Sequence, residues 1–168
     1  MIEVLLAEGG ELDLPVDSTW GRALAAQRAR IAELLRAEIE SAPGRIRRLL
    51  RPRPSTEIRP HSVLDPAEIA ETETLVGFVG NCRYFASELA INEMTQRTFS
   101  EIQQYLDSGT RALLDALRHA GEADRSFRQS QVDAAARISA KVFGADYAAL
   151  LNKAAEVASG ADRKAAQG

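Results

Sequence analysis

The sequence predicts an all-α protein: an elongated helical bundle of three to four helices, with one long central helix and a small N-terminal β-hairpin. Three observations lead there. After Asp65, apolar residues recur at three- and four-residue steps (Leu75, Phe78, Cys82, Phe85, Leu89, then Phe99, Ile102, Leu106, Leu113, Leu117), the spacing of one helix face. All six prolines fall at or before Pro66, so nothing later in the chain carries a ring that would break a helix. The hydrophobic content, 45%, is dominated by alanine and leucine with only 5% aromatics, which suits narrow contacts between rods better than aromatic-lined pockets.

Residues 2–16 alternate apolar and polar, with Ile2, Val4 and Leu6 before Gly9-Gly10 and Leu12, Leu14 and Val16 after. Paired glycines suit a two-residue turn, so this stretch reads as the hairpin; a short helix over 2–8 is the alternative. A lone hairpin is marginal in water, so its apolar face must pack on helix or on another chain. Asp17-Ser18-Thr19 then supplies capping residues for a helix reaching about Ser41, with Trp20, Leu24, Ile31, Leu35 and Ile39 on its inner face and Trp20 as a packing anchor. Pro43-Gly44 is expected to end it. Ile46, Leu49 and Leu50 allow another turn or two before Pro52, Pro54 and Pro60 enforce extended backbone.

Asp65-Pro66-Ala67-Glu68 opens the main helix, with a capping side chain, a proline at the first helical position and a glutamate three residues on. The apolar phase holds across Gly109, predicting one helix over 66–119, on the order of 80 Å long. Gly121 ends it. A further helix spans Glu122–Phe143, with Phe127, Gln131, Ala134, Ile138 and Val142 inward and Gly144 as its stop. The last, over 147–158, is expected to turn Tyr147, Leu150, Leu151, Ala154 and Val157 inward. The organisation is therefore a hairpin plus helix (1–50), a mobile Pro/Arg-rich linker (51–64), a helical bundle (65–158) and a flexible tail (159–168).

The net charge of −3 marks neither a nucleic-acid binder nor an acidic tail protein. Its distribution is uneven: residues 1–17 hold five acids and no base, whereas 18–59 hold ten arginines and four acids. Cys82 is the only cysteine, so no intrachain disulfide forms and a reducing compartment is expected. The N-terminus lacks a basic, then apolar, leader pattern, and the longest apolar run, 75–80, is far short of the roughly 20 residues of a membrane span. The expectation is a cytoplasmic protein with no membrane span.

Two clusters invite a functional reading. Arg45, Arg47, Arg48, Arg51 and Arg53, with Arg59 beyond, offer forked donors to carboxylates and phosphates, and so a surface for an acidic protein partner, anionic lipid or nucleic acid. No aromatic interleaves them, which argues against nucleic acid. The plain alternative is a solvated linker paired with nearby acids, Asp65, Glu68, Glu71 and Glu73 among them. The second cluster is a polar break in the long seam, Tyr84, Glu88, Asn92 and Gln96, where polar residues can fix register or oligomer state. A carboxylate di-metal site would need Glu-x-x-His pairs, and neither His61 nor His119 lies three residues after a glutamate. Gly77-Phe78-Val79-Gly80 lacks the lysine and serine or threonine of a phosphate loop. No catalytic residue, metal ligand or cofactor is assigned.

Three functions follow as expectations. The first is a noncatalytic helical interaction protein, an adaptor, assembly factor or regulatory subunit that self-associates or docks on a protein partner through coiled-coil-like helix contacts. The second rests on layout: a long helix, a short break and QVDAAARISAKVFGADYAALLNKAAEVA resemble the arrangement of phasins, which coat bacterial polyester granules through amphipathic helices, and imply binding to a hydrophobic surface. The likeness is one of arrangement and alanine-rich composition over the last hundred or so residues. The third is an enzyme or ligand-binding protein using the Tyr84-Glu88-Asn92 face.

Overall fold

The structure, a computed structural model, describes residues 18–87 and 91–165. Among them there is no strand; five α-helices and one short 3-10 turn follow in order. These are α1 (Thr19–Leu50), the turn Ser55–Glu57, α2 (Pro66–Phe85), α3 (Asn92–Arg118), α4 (Glu122–Phe143) and α5 (Ala145–Ala165). The expected hairpin over 2–16 lies outside the described residues.

Capping chemistry sets several boundaries. The Ser18 hydroxyl accepts from the Gly21 amide at 2.9 Å to start α1, and Asp65 accepts from Ala67 at 2.9 Å to start α2 with Pro66 in the first turn. Gly144 closes α4 at φ 94° and ψ 171°, a backbone region that only glycine enters without strain, and its amide bonds the Ala140 carbonyl at 3.1 Å.

Ion pairs give the helix directions. Arg48 meets Glu68 and Arg45 meets Glu71, so α2 runs antiparallel to α1. Arg97 meets Glu40 and Arg47 meets Glu101, so α3 runs parallel to α1. α4 lies parallel to α2 through Arg137 and Glu73, and α5 returns along α4 through Ser159 and Gln129. α3 and α4 each touch all the other helices, and between them sits the core of Ile39, Ile46, Leu49, Val76, Val79, Ile102, Leu106, Leu117 and Ile138, all at most 1% exposed. Fully burying a side chain of this size contributes about 1.5–3 kcal/mol.

Four departures from the sequence reading have physical reasons. First, α1 does not stop at Pro43-Gly44 but runs 32 residues to Leu50 with Pro43 inside. An internal proline costs about 3 kcal/mol or more, and burial of Ile39, Ala42, Ile46, Leu49 and Leu50 on the same helix offsets it. Second, the long central helix is two helices. α3 runs straight through Gly109, but the chain turns between Phe85 and Asn92, where the Ile91 amide reaches back to the Ala86 carbonyl at 3.0 Å. No glycine or proline stands there. Folding back is favoured because a single rod would leave half its seam uncovered, whereas the turn buries Ala86 and Ile91 and lays α3 against α2.

Third, α5 faces the bundle with Ala148, Leu151, Ala155 and Ala158, leaving Leu150 and Val157 exposed. Three of those four buried residues are alanines, and Ser159 bonds Gln129 of α4 at 2.9 Å beside them. α5 also continues to Ala165. Fourth, residues 51–64 are stitched to α4 rather than loose. The Leu64 amide donates to Ser130 Oγ (3.0 Å), the His61 amide to the Ala123 carbonyl (2.7 Å), and Ile58 and Leu64 are buried.

Candidate interaction surface

The first half of α1 is the least covered part of the fold. From Thr19 to Ile31 only Gly21 is even half-buried; the first fully buried position is Ala32, and Ile39 follows. Trp20, 73% exposed, Leu24, Ile31 and Leu34 form a stripe at four- and three-residue steps, with Gln27 its polar member. The inner seam expected for Trp20, Leu24 and Ile31 is therefore corrected: no described residue buries them. The helix turns a second stripe, Ala32, Ile39, Ala42, Ile46 and Leu49, into the bundle. Up to Ala32 this arm carries Arg22, Arg28 and Arg30 and no acid.

At the base of the arm a second element contributes. The α1–α2 register set by Arg48 with Glu68 and Arg45 with Glu71 also places Glu38 beside Phe78 in a groove of about 630 Å³. Carrying that register to the end of α2 brings Phe85 level with Ile31. Tyr84 (82% exposed) and Phe85 (62% exposed) thus stand at the same end of the bundle as Ile31 and Leu34. Exposed apolar side chains of two helices therefore share this end of the bundle.

The arginine cluster is dispersed over several sides of the bundle, Arg45 and Arg48 toward α2, Arg47 toward α3 and Arg53 toward α4, and each member has a partner inside the chain. Arg45 pairs with Glu71 (3.6 Å), Arg47 with Glu101 while its guanidinium lies 6.0 Å from the Tyr105 ring, Arg48 with Glu68 (3.1 Å) and Arg51 with Glu57 (3.3 Å). Arg53 sits 5.2 Å over the Phe127 ring, and its carbonyl accepts from Arg128 at 2.6 Å. The four ion pairs keep substantial solvent exposure.

The polar seam is not assembled as expected. Asn92 and Gln96 are exposed, as is Tyr84, and Glu88 lies outside the described residues. The turn after Phe85 resets the helical phase, so α3 instead buries Met94, Thr95, Thr98, Phe99 and Ile102. Thr95 satisfies its buried hydroxyl on the Ile91 carbonyl at 2.8 Å.

A buried polar cluster escaped the sequence reading. Asp124 and Arg128, one turn apart on α4 with side chains 8% exposed, pair at 3.4 Å; Ser55 Oγ donates to Asp124 at 2.8 Å. Gln131, fully buried, donates to the carbonyls of Arg51 (3.0 Å) and Leu49 (3.5 Å). Gln131 thereby serves carbonyls at the C-terminal end of α1, and Arg128 takes the Arg53 carbonyl just beyond it. Burial alone would raise the Asp124 carboxyl, but the Ser55 hydrogen bond and the Arg128 charge outweigh it and hold the group below the usual carboxylate value. The i, i+4 spacing of Asp124 and Arg128 was visible, but it looks the same as a surface pair.

Chemistry elsewhere is sparse. Burial pushes the Cys82 thiol up, away from the reactive thiolate. His119 Nδ1 lies 2.9 Å from the Asp115 carbonyl oxygen on an exposed helix end. Among the described residues no group of His, Cys, Asp and Glu is arranged to hold a metal, and no helix is long and apolar enough to cross a membrane. The α4–α5 groove, about 490 Å³, is lined by Gln129, Asp133, Asn152, Glu156 and Ser159, and the Ser159 hydroxyl there bonds Gln129 Oε1 and the Ala155 carbonyl, both at 2.9 Å. No family model, curated protein or solved structure matches the chain.

Proposed function

We propose that this chain is a noncatalytic helical interaction protein, an adaptor, assembly or regulatory subunit, that self-associates through the apolar end of its bundle. The observation that carries the reading is the exposure of Ile31, Leu34, Tyr84 and Phe85 at one end of the bundle, from two different helices. Interface cores favour aromatic anchors such as Tyr84 and Phe85, and Tyr supplies area at low entropic cost. The arginines form a separate area toward the other end of α1, where exposed internal pairs such as Arg45 with Glu71 and Arg48 with Glu68 can exchange for an acidic partner at small cost.

Replacing Leu34 and Tyr84 together by glutamate tests this. Both side chains are exposed, so the fold and its helicity should survive while light scattering reports a fall to the monomer mass. An unchanged mass would place the contact elsewhere. The phasin-like alternative, coating of a hydrophobic granule, uses the same exposed apolar residues. It predicts that the intact chain sediments with hydrophobic particles and that the double variant stays in the buffer.

A further inference from the structure

We infer that the apolar stripe of the α1 arm, Trp20–Leu24–Ile31, is a docking site for residues 1–17 of the same chain, an intramolecular cover held by its five carboxylates and six alternating apolar residues. This goes beyond the association proposed above; the two surfaces share Ile31, and they are told apart by separate variants, at Leu34 and Tyr84 for the association and in residues 1–17 for the cover.

Charge favours this occupant. The arm presents Arg22, Arg28 and Arg30 without an acid, and residues 1–17 present Glu3, Glu8, Glu11, Asp13 and Asp17 without a base. A second copy's arm would instead set three arginines against their own equivalents, which is unfavourable. Length fits as well. From Trp20 to Ile31 the stripe spans about 17 Å at the helical rise. The seven residues from Glu11 to Asp17 reach at most about 25 Å, so the limb after Gly9-Gly10 suffices to run the stripe's length. That limb brings Leu12, Leu14 and Val16, and the preceding limb adds Ile2, Val4 and Leu6. Attachment is direct, since Asp17 adjoins the α1 cap Ser18, and a tether this short gives a local concentration in the millimolar range. Weak individual contacts therefore suffice.

Trp20, the only tryptophan, is a built-in reporter. Acrylamide quenching of its fluorescence would be compared among three forms: the intact chain, a chain lacking residues 2–16, and an intact chain with Glu3, Glu8, Glu11 and Asp13 changed to glutamine or asparagine. The expected result is a several-fold lower quenching constant and a blue-shifted emission in the intact chain. Truncation should abolish both, and the neutralised chain should fall between. A synthetic peptide of residues 1–17 added to the truncated chain should restore the shift, less so at high salt. Equal quenching of intact and truncated chains would overturn the inference. So would protection that disappears on dilution, which would assign the cover to a second copy. Loss of protection on truncation with the scattering mass unchanged would uphold the cover and leave the association proposed above standing; a monomer mass in both forms would uphold the cover and count against self-association alone.

Discussion

Asp124→Ala tests whether the buried α4 cluster joins the end of α1 to the bundle. The substitution removes the carboxylate that faces Arg128 at 3.4 Å and accepts the Ser55 hydroxyl at 2.8 Å, in a site where both charged side chains are 8% exposed. The guanidinium keeps one neutral acceptor, the Arg53 carbonyl at 2.6 Å. Stranding one member of a buried pair costs about 3–5 kcal/mol, which for a chain of this length corresponds to roughly 10 °C in Tm. Replacing both groups, Asp124→Leu with Arg128→Met, removes the stranded charge and leaves mainly an unpaired Arg53 carbonyl, worth about 1–3 kcal/mol. The double variant should therefore be more stable than Asp124→Ala alone. Urea unfolding followed by circular dichroism at neutral pH measures both. A single-variant cost below about 1 kcal/mol, the range of an exposed pair, would refute the reasoning, and so would a double variant less stable than the single.

The same carboxylate makes stability depend on pH. Because its folded-state pKa lies below the unfolded value of about 3.9, its contribution is complete above that pH and fades as pH falls through the folded value. The stability gap between wild type and Asp124→Asn should accordingly be constant from near neutrality to about pH 5 and close on further acidification, as read by urea melts across pH. Gly144→Ala should cost about 1–3 kcal/mol, since alanine must adopt φ 94° and ψ 171° there; no steric neighbour contributes, because an added Cβ meets nothing within 4 Å. Arg47→Ala with Arg48→Ala should change stability by no more than about 1–2 kcal/mol, because both pairs are exposed; a larger loss would give these arginines a role in the fold.

Much of the architecture was legible because it rests on local rules. Helix periodicity identified an all-α chain, Asp65-Pro66 and Gly144 marked boundaries by capping and backbone geometry, and Ile102, Leu106, Leu113 and Leu117 were on the buried face. The misses have tertiary causes. Residues 86–91 contain no breaker, and the chain turns there because antiparallel packing buries more than an extended rod would. Pro43 reads as a stop until the burial on both sides of it is known. In α5 the larger Leu150 and Val157 suggested the inner face, but the buried face is the one carrying Ala148, Leu151, Ala155 and Ala158. For the candidate surface, the sequence supplied Trp20, Leu24, Ile31 and Tyr84 as apolar or seam residues without revealing that they face outward. That distinction depends on where the neighbouring helices stop, which no local pattern encodes.

Light scattering of the intact chain over a range of micromolar concentrations is the most direct trial of the central claim, that the bundle end bearing Ile31, Leu34, Tyr84 and Phe85 is a contact surface. The expected result is a molar mass at a multiple of 18.3 kDa that falls toward the monomer on dilution. A monomer at every concentration, with undiminished resistance to urea, would contradict it.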